Sequence, residues 1–220
     1  MLLYVNGDSN LSGTEVEESD TIVERLREKL SPDQINNQAF IGASNDLIYD
    51  RSMSYLKDNK PDLVIIGWSD AGRMQAHDKA TGEWHQLNSI GVGHVPGSFE
   101  PMAKLLKDKM SYGSDHYKHM AFYWHYKIYN MHSYLLYRKI PHLFFSALDL
   151  FTGAKNVRIE DKYKLDWGNN YLEVYNDCYV SWCIRNNHSQ ITPGWFHFGK
   201  EGQHAWADKL YEHIEKYKLI

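Results

Sequence analysis

Leu2-Leu3-Tyr4-Val5-Asn6-Gly7-Asp8-Ser9-Asn10 opens the chain with an apolar strand pattern that breaks into a cluster of turn-forming residues. At the other end, His197 stands just before a helical run that starts near Lys200. In open α/β sheets the chemistry gathers outside the carboxyl ends of the strands, so residues distant in sequence meet when each lies just past a strand. Ser9 lies there, and a nearby imidazole can take its proton and make the hydroxyl a nucleophile. By itself Gly7-Asp8-Ser9-Asn10 is equally an ordinary turn or helix cap, so its companions decide.

Working outward, strand and helix alternate. Residues 2 to 6 read as a first strand and 18 to 30 as a helix on which Ile22, Leu26 and Leu30 recur every four residues. Gln38-Ala39-Phe40-Ile41 reads as a short second strand, followed by a helix over 45 to 58 with Leu47, Met53 and Leu56 facing inward. Pro61-Asp62-Leu63-Val64-Ile65-Ile66-Gly67 is a buried strand entered through proline and left through glycine. Residues 140 to 148 supply another strand and 200 to 217 a terminal helix. This order implies right-handed crossovers and a mostly parallel sheet in a single domain spanning residues 1 to 220.

Residues 69 to 115 interrupt the alternation with Gly72, Gly82, Gly91, Gly93, Pro96, Gly97 and Pro101, and are read as an insertion or lid over the site. From 116 to 138 the chain is densely aromatic. Trp124, Ile128, Met131 and Leu135 fall at helical spacing there, which reads as a long helix packed on the sheet rather than a stacking surface for a ligand. His116, His119, His125 and His132 lack matching ligands at motif spacing, so no metal site is expected.

The net charge of −4, without a long basic run, argues against nucleic acid as a partner. The two cysteines, Cys178 and Cys183, lack metal-motif spacing and read as reduced thiols. No export signal and no run long and apolar enough to cross a membrane are evident, so the expectation is a cytoplasmic protein without a membrane partner.

Three further blocks accompany Ser9: Ile41-Gly42-Ala43-Ser44-Asn45-Asp46, Gly67-Trp68-Ser69-Asp70 and Phe196-His197-Phe198-Gly199-Lys200. In order and spacing the set resembles the SGNH (GDSL-like) hydrolase superfamily, in particular its small phage-encoded members, for which the location would be a host cytoplasm or a virion. The resemblance covers the first three strands and the last helix; residues 74 to 190 carry little of it. It implies a flavodoxin-like three-layer α/β sandwich with a mostly parallel central sheet. It also implies Ser9 as nucleophile, His197 as base, and the backbone N–H groups of Gly42 and Ser9 as oxyanion donors. No metal or organic cofactor is implied.

Two positions depart from the family pattern. Ser69 stands where the family has an asparagine that donates to the oxyanion, and at most its hydroxyl substitutes. Gly194 stands where an acid usually precedes the histidine by three residues. Without an orienting carboxylate the imidazole can adopt the wrong tautomer, a defect worth on the order of 10⁴ in rate. Asp149, just past the strand that ends near Leu148, or a backbone carbonyl is the candidate replacement, and Arg73 is a candidate anion clamp on the substrate. The expected activity is that of a serine esterase or deacylase on a small acyl ester, such as an acetylated carbohydrate. The competing expectation is a catalytically silent binding or structural module on the same scaffold.

Overall fold

Along the innermost strands, successive side chains enter two different cores. Leu3, Val5, Leu63, Ile65, Leu143 and Phe145 pack on one face of the sheet; Tyr4, Val64, Ile66 and Phe144 pack on the other. That alternation is the two-residue period of a strand covered on both faces, which is why these segments read as continuous apolar runs. The computed structural model describes residues 1–77, 79, 81–82, 84–88, 104, 114–151 and 158–220.

The elements in chain order are β1 (Leu2–Asn6), α1 (Ser9–Ser12), α2 (Ile22–Leu30), β2 (Gln34–Asn37), α3 (Asn45–Leu56) and β3 (Leu63–Trp68). They continue with β4 (Arg73–His77), β5 (Trp84–Asn88), α4 (Asp115–Tyr137), β6 (His142–Ser146), β7 (Tyr171–Leu172), α5 (Tyr179–Arg185) and α6 (Lys200–Tyr217). Among the described residues the central sheet has five strands in the order β2-β1-β3-β6-β7, and every pairing is parallel. Helices α3 and α4 cover one face, and α2, α5 and α6 cover the other. This is the expected flavodoxin-like α/β sandwich, with the strand order reversing direction beside β1.

The structure differs from the sequence reading in several places. The second strand is Gln34–Asn37 rather than 38 to 41, and its burial is only partial. As an edge strand it pairs with β1 alone and needs no apolar run. On α3 the fully buried positions are Asn45, Ile48, Ser52 and Leu56, whereas Leu47 and Met53 are only partly buried. The buried stripe is turned because Asn6 of β1 reaches into the helix, donating to Ile48 O at 3.0 Å and Ser52 Oγ at 2.9 Å. Of the expected insertion over 69 to 115, β4 and β5 form an antiparallel hairpin; residues 89–103 and 105–113 lie outside the described residues.

The aromatic segment is the long helix α4, with Trp124, Ile128, Met131 and Leu135 all buried against the sheet. His116 and His119 are exposed, and among the described residues no cluster suited to a metal ion occurs. No helix among them is long and apolar enough to cross a membrane.

Candidate active site

Tight packing at the carboxyl end of β1 sets the geometry. A Cβ on Gly7 would lie 2.5 Å from Leu11 Cδ1 and 3.0 Å from the Gly67 carbonyl, so only glycine lets β1 leave the sheet so close to β3. Asp8 then caps α1, its carboxylate accepting from Asn10 N at 3.0 Å, and Ser9 becomes the first helical residue.

His197 is brought over from the loop between α5 and α6. Gln190 closes that loop: its side chain donates to Trp195 O at 2.7 Å and accepts from Gly194 N at 3.0 Å. The backbone of His197 is held by Ile191 N at 3.0 Å, two residues before Gly199 caps α6. Gln203 of α6 accepts from Ile22 N at 3.2 Å, locking this helix to the start of α2. The result places His197 Nε2 2.9 Å from Ser9 Oγ.

On the other side of the ring, His197 Nδ1 lies 2.8 Å from a carboxylate oxygen of Glu15. A carboxylate accepts, so Nδ1 carries the hydrogen and Nε2 is left as the lone pair facing the serine hydroxyl, the tautomer a general base requires. The Nδ1 position that sequence reasoning offered to Asp149 is therefore occupied by Glu15. Asp149 lies buried beyond β6, and Gly194 sits in an exposed turn with φ +84°. Glu15 follows Gly13, whose left-handed backbone ends α1 and turns the chain back. There Thr14 N donates to Ser9 O at 3.2 Å, and Glu15 itself adopts φ +68°. Strained backbone of this kind is retained where a side chain must be aimed.

Gly42 lies in a turn docked on β1, where Phe40 N donates to Gly7 O at 3.0 Å. Its φ of +72° suits glycine, and the hairpin steadies the loop through Gln86 Oε1, which accepts from Ser44 N at 2.9 Å. Among the described residues neither the Gly42 N–H nor the Ser9 N–H is used in a hydrogen bond. Two fixed donors thus stand unused at the ends of neighbouring strands.

Ser69 is clamped by Asn45, which accepts from its N–H at 2.7 Å and donates to its carbonyl at 3.0 Å. Its hydroxyl lies 3.1 Å from Asp8 Oδ2, and Arg73 Nη1 lies 2.9 Å from the same hydroxyl and 3.1 Å from the same carboxylate oxygen. Ser69 and Arg73 are therefore neighbours. The single hydroxyl hydrogen of Ser69 is directed to Asp8, however, so Ser69 is not a free oxyanion donor.

No protein-family model matches the chain, and no curated protein sequence matches it. Solved structures do. A lipolytic protein of the G-D-S-L family from Veillonella parvula superposes with a TM-score of 0.53 at 12% identity, covering 96% of this chain and 97% of that one. An acetyl xylan esterase, AlAXEase, superposes with a TM-score of 0.50 at 13% identity, covering 97% of this chain and all of that one (100%). At such identity the likeness is one of fold: this chain has the α/β architecture on which GDSL lipolytic proteins are built.

Proposed function

We propose that the chain is a serine esterase or deacylase of the SGNH type, acting on small acyl esters through Ser9, His197 and Glu15. The observation that carries this reading is the continuous relay from Ser9 Oγ to His197 Nε2 at 2.9 Å and from His197 Nδ1 to Glu15 at 2.8 Å. Ser9 Oγ attacks the ester carbonyl carbon while its proton passes to His197 Nε2. The imidazolium is stabilised by Glu15, and the carbonyl oxygen, now an oxyanion, is held by the N–H groups of Gly42 and Ser9. Collapse expels the alcohol, which takes the proton from His197. Water deprotonated by the same imidazole then attacks the acyl-serine, and the acid leaves as Ser9 recovers its proton.

An acetylated carbohydrate is the substrate class we favour. Its support is the fold likeness to an acetyl xylan esterase together with Trp195, which is 55% exposed and presents a flat apolar face beside His197 at a ring-centroid separation of 6.4 Å. The test is hydrolysis of short nitrophenyl esters and acetylated xylo-oligosaccharides by wild type and Ser9→Ala. Wild type is expected to turn over acetyl esters, and Ser9→Ala to fall to background with its Tm within a few degrees of wild type. Equal background rates for the two proteins would favour the silent binding module.

A further inference from the structure

In the SGNH pattern an asparagine amide completes the oxyanion hole, and the amides near Ser9 among the described residues are held by other partners. Ser69 occupies its position. The neighbouring amides are engaged: Asn6 with α3, Asn45 with the Ser69 backbone, and Asn10 with Asp8, to which its Nδ2 donates at 3.2 Å. A guanidinium, by contrast, carries five N–H donors in a planar fork. The two on Arg73 Nη1 go to Asp8 and Ser69. Arg73 Nε is buried with no partner, and Nη2 makes no hydrogen bond among the described residues. The residue is only 8% exposed.

A cation held this deep with one whole edge of its fork idle is costly unless something accepts there. Asp8 and Ser69 fix the guanidinium by Nη1 alone, which leaves the Nε and Nη2 edge for another group. Asp8, which Nη1 contacts, immediately precedes Ser9 in the chain, and through it the guanidinium is tied to the turn that carries Ser9.

We infer that Arg73 is the third oxyanion donor, a charged fork standing in for the family's amide, with Ser69 and Asp8 acting only to position it. This rests on the esterase reading and deepens it. As the carbonyl oxygen of the ester gains negative charge on attack by Ser9, the free N–H groups of Arg73 share it with the backbone donors of Ser9 and Gly42. The charge returns to the carbonyl as the alcohol leaves, and Arg73 neither gains nor loses a proton. A full positive charge beside the oxyanion also offsets the field of the buried Asp8 carboxylate, which an uncharged amide would not.

The experiment is steady-state kinetics on one acetyl ester for wild type, Arg73→Ala and Arg73→Lys, with added guanidinium at low millimolar concentration, and circular dichroism to establish folding. Loss of an oxyanion donor lowers kcat by about 10²–10³-fold and leaves KM within about threefold. Guanidinium is expected to restore at least about tenfold of that loss in Arg73→Ala, with no effect on wild type or Ser9→Ala. Arg73→Lys keeps a charge beside Asp8 but lacks the fork, and its kcat should fall at least about tenfold; it carries the test if Arg73→Ala does not fold. A wild-type kcat in a folded variant would overturn the inference, as would a loss confined to KM, which marks a ground-state anion clamp. An inactive wild type would instead sink the esterase reading beneath it, a different result from an active enzyme indifferent to Arg73.

Discussion

Glu15 adopts a left-handed backbone conformation in a stretch of chain that nothing in the sequence singles out. Glu15, Glu17, Glu18 and Asp20 look like a solvated acidic run, and three of the four are just that or partners of surface lysines. Only the turn at Gly13, which caps α1 four residues past Ser9, sends Glu15 back over Ser9. Ser9 and His197 stood out in the sequence as candidates because Ser9 follows the first strand and His197 precedes the last helix. Gly42 was a candidate only through the family resemblance, since the second strand it was counted from lies four residues earlier than the sequence reading placed it. If Glu15 orients the imidazole, Glu15→Gln should lower kcat by at least about 10²-fold at nearly constant KM. Asp149→Asn and Gly194→Asp should leave kcat within about threefold of wild type, since the Nδ1 position of His197 is taken by Glu15. A larger loss in Asp149→Asn than in Glu15→Gln would reverse this assignment.

At the scale of elements, what the sequence revealed was whatever must be buried. The continuous run Leu63–Trp68 and the stripe on α4 were readable, because their apolar periods have no other use. Gln34–Asn37 was not, since an edge strand that is only half covered can be built from Gln, Ile and two Asn held by backbone bonds. The contact between β1, α1 and β3 at Gly7 offers a direct check on how tightly the turn that carries Ser9 is built. Gly7→Ala drives a methyl into Leu11 and the Gly67 carbonyl, and should cost roughly 1–3 kcal/mol with a matching fall in Tm. Gly199→Ala, where a Cβ meets nothing within 4 Å, should cost less than about 1 kcal/mol. Equal Tm values for the two variants would mean the turn has room that the close approach denies.

Across the whole molecule, the core beneath α4 contains imidazoles that carry no role in the site. His142 Nδ1 lies 2.9 Å from Ile140 O and so must donate, which leaves Nε2 to accept from His132 Nδ1 at 2.8 Å. Likewise Tyr175 OH receives Leu165 N and Trp167 Nε1, so its own hydrogen is best placed toward His125 Nε2 at 2.8 Å. Burial pushes His125 and His142 each down to about 4, and pushes His132 down as well. These groups are neutral in the folded chain, while in the unfolded chain they bind protons near their ordinary value of about 6.5. Their contribution to stability is therefore complete above pH 6.5 and is lost as the pH falls toward about 4. Tm should drop by roughly 5–10 °C over that window, and His125→Phe should flatten the slope; an unchanged Tm between pH 6.5 and 4.5 would contradict it. The central claim concerns Ser9 itself, and it is tested most directly by the intact mass of the protein after exposure to an activated phosphonate ester, followed by peptide mapping. A single adduct on Ser9, formed in wild type and absent from Ser9→Ala, is the expected result. No adduct, or one carried equally by Ser9→Ala, would contradict it.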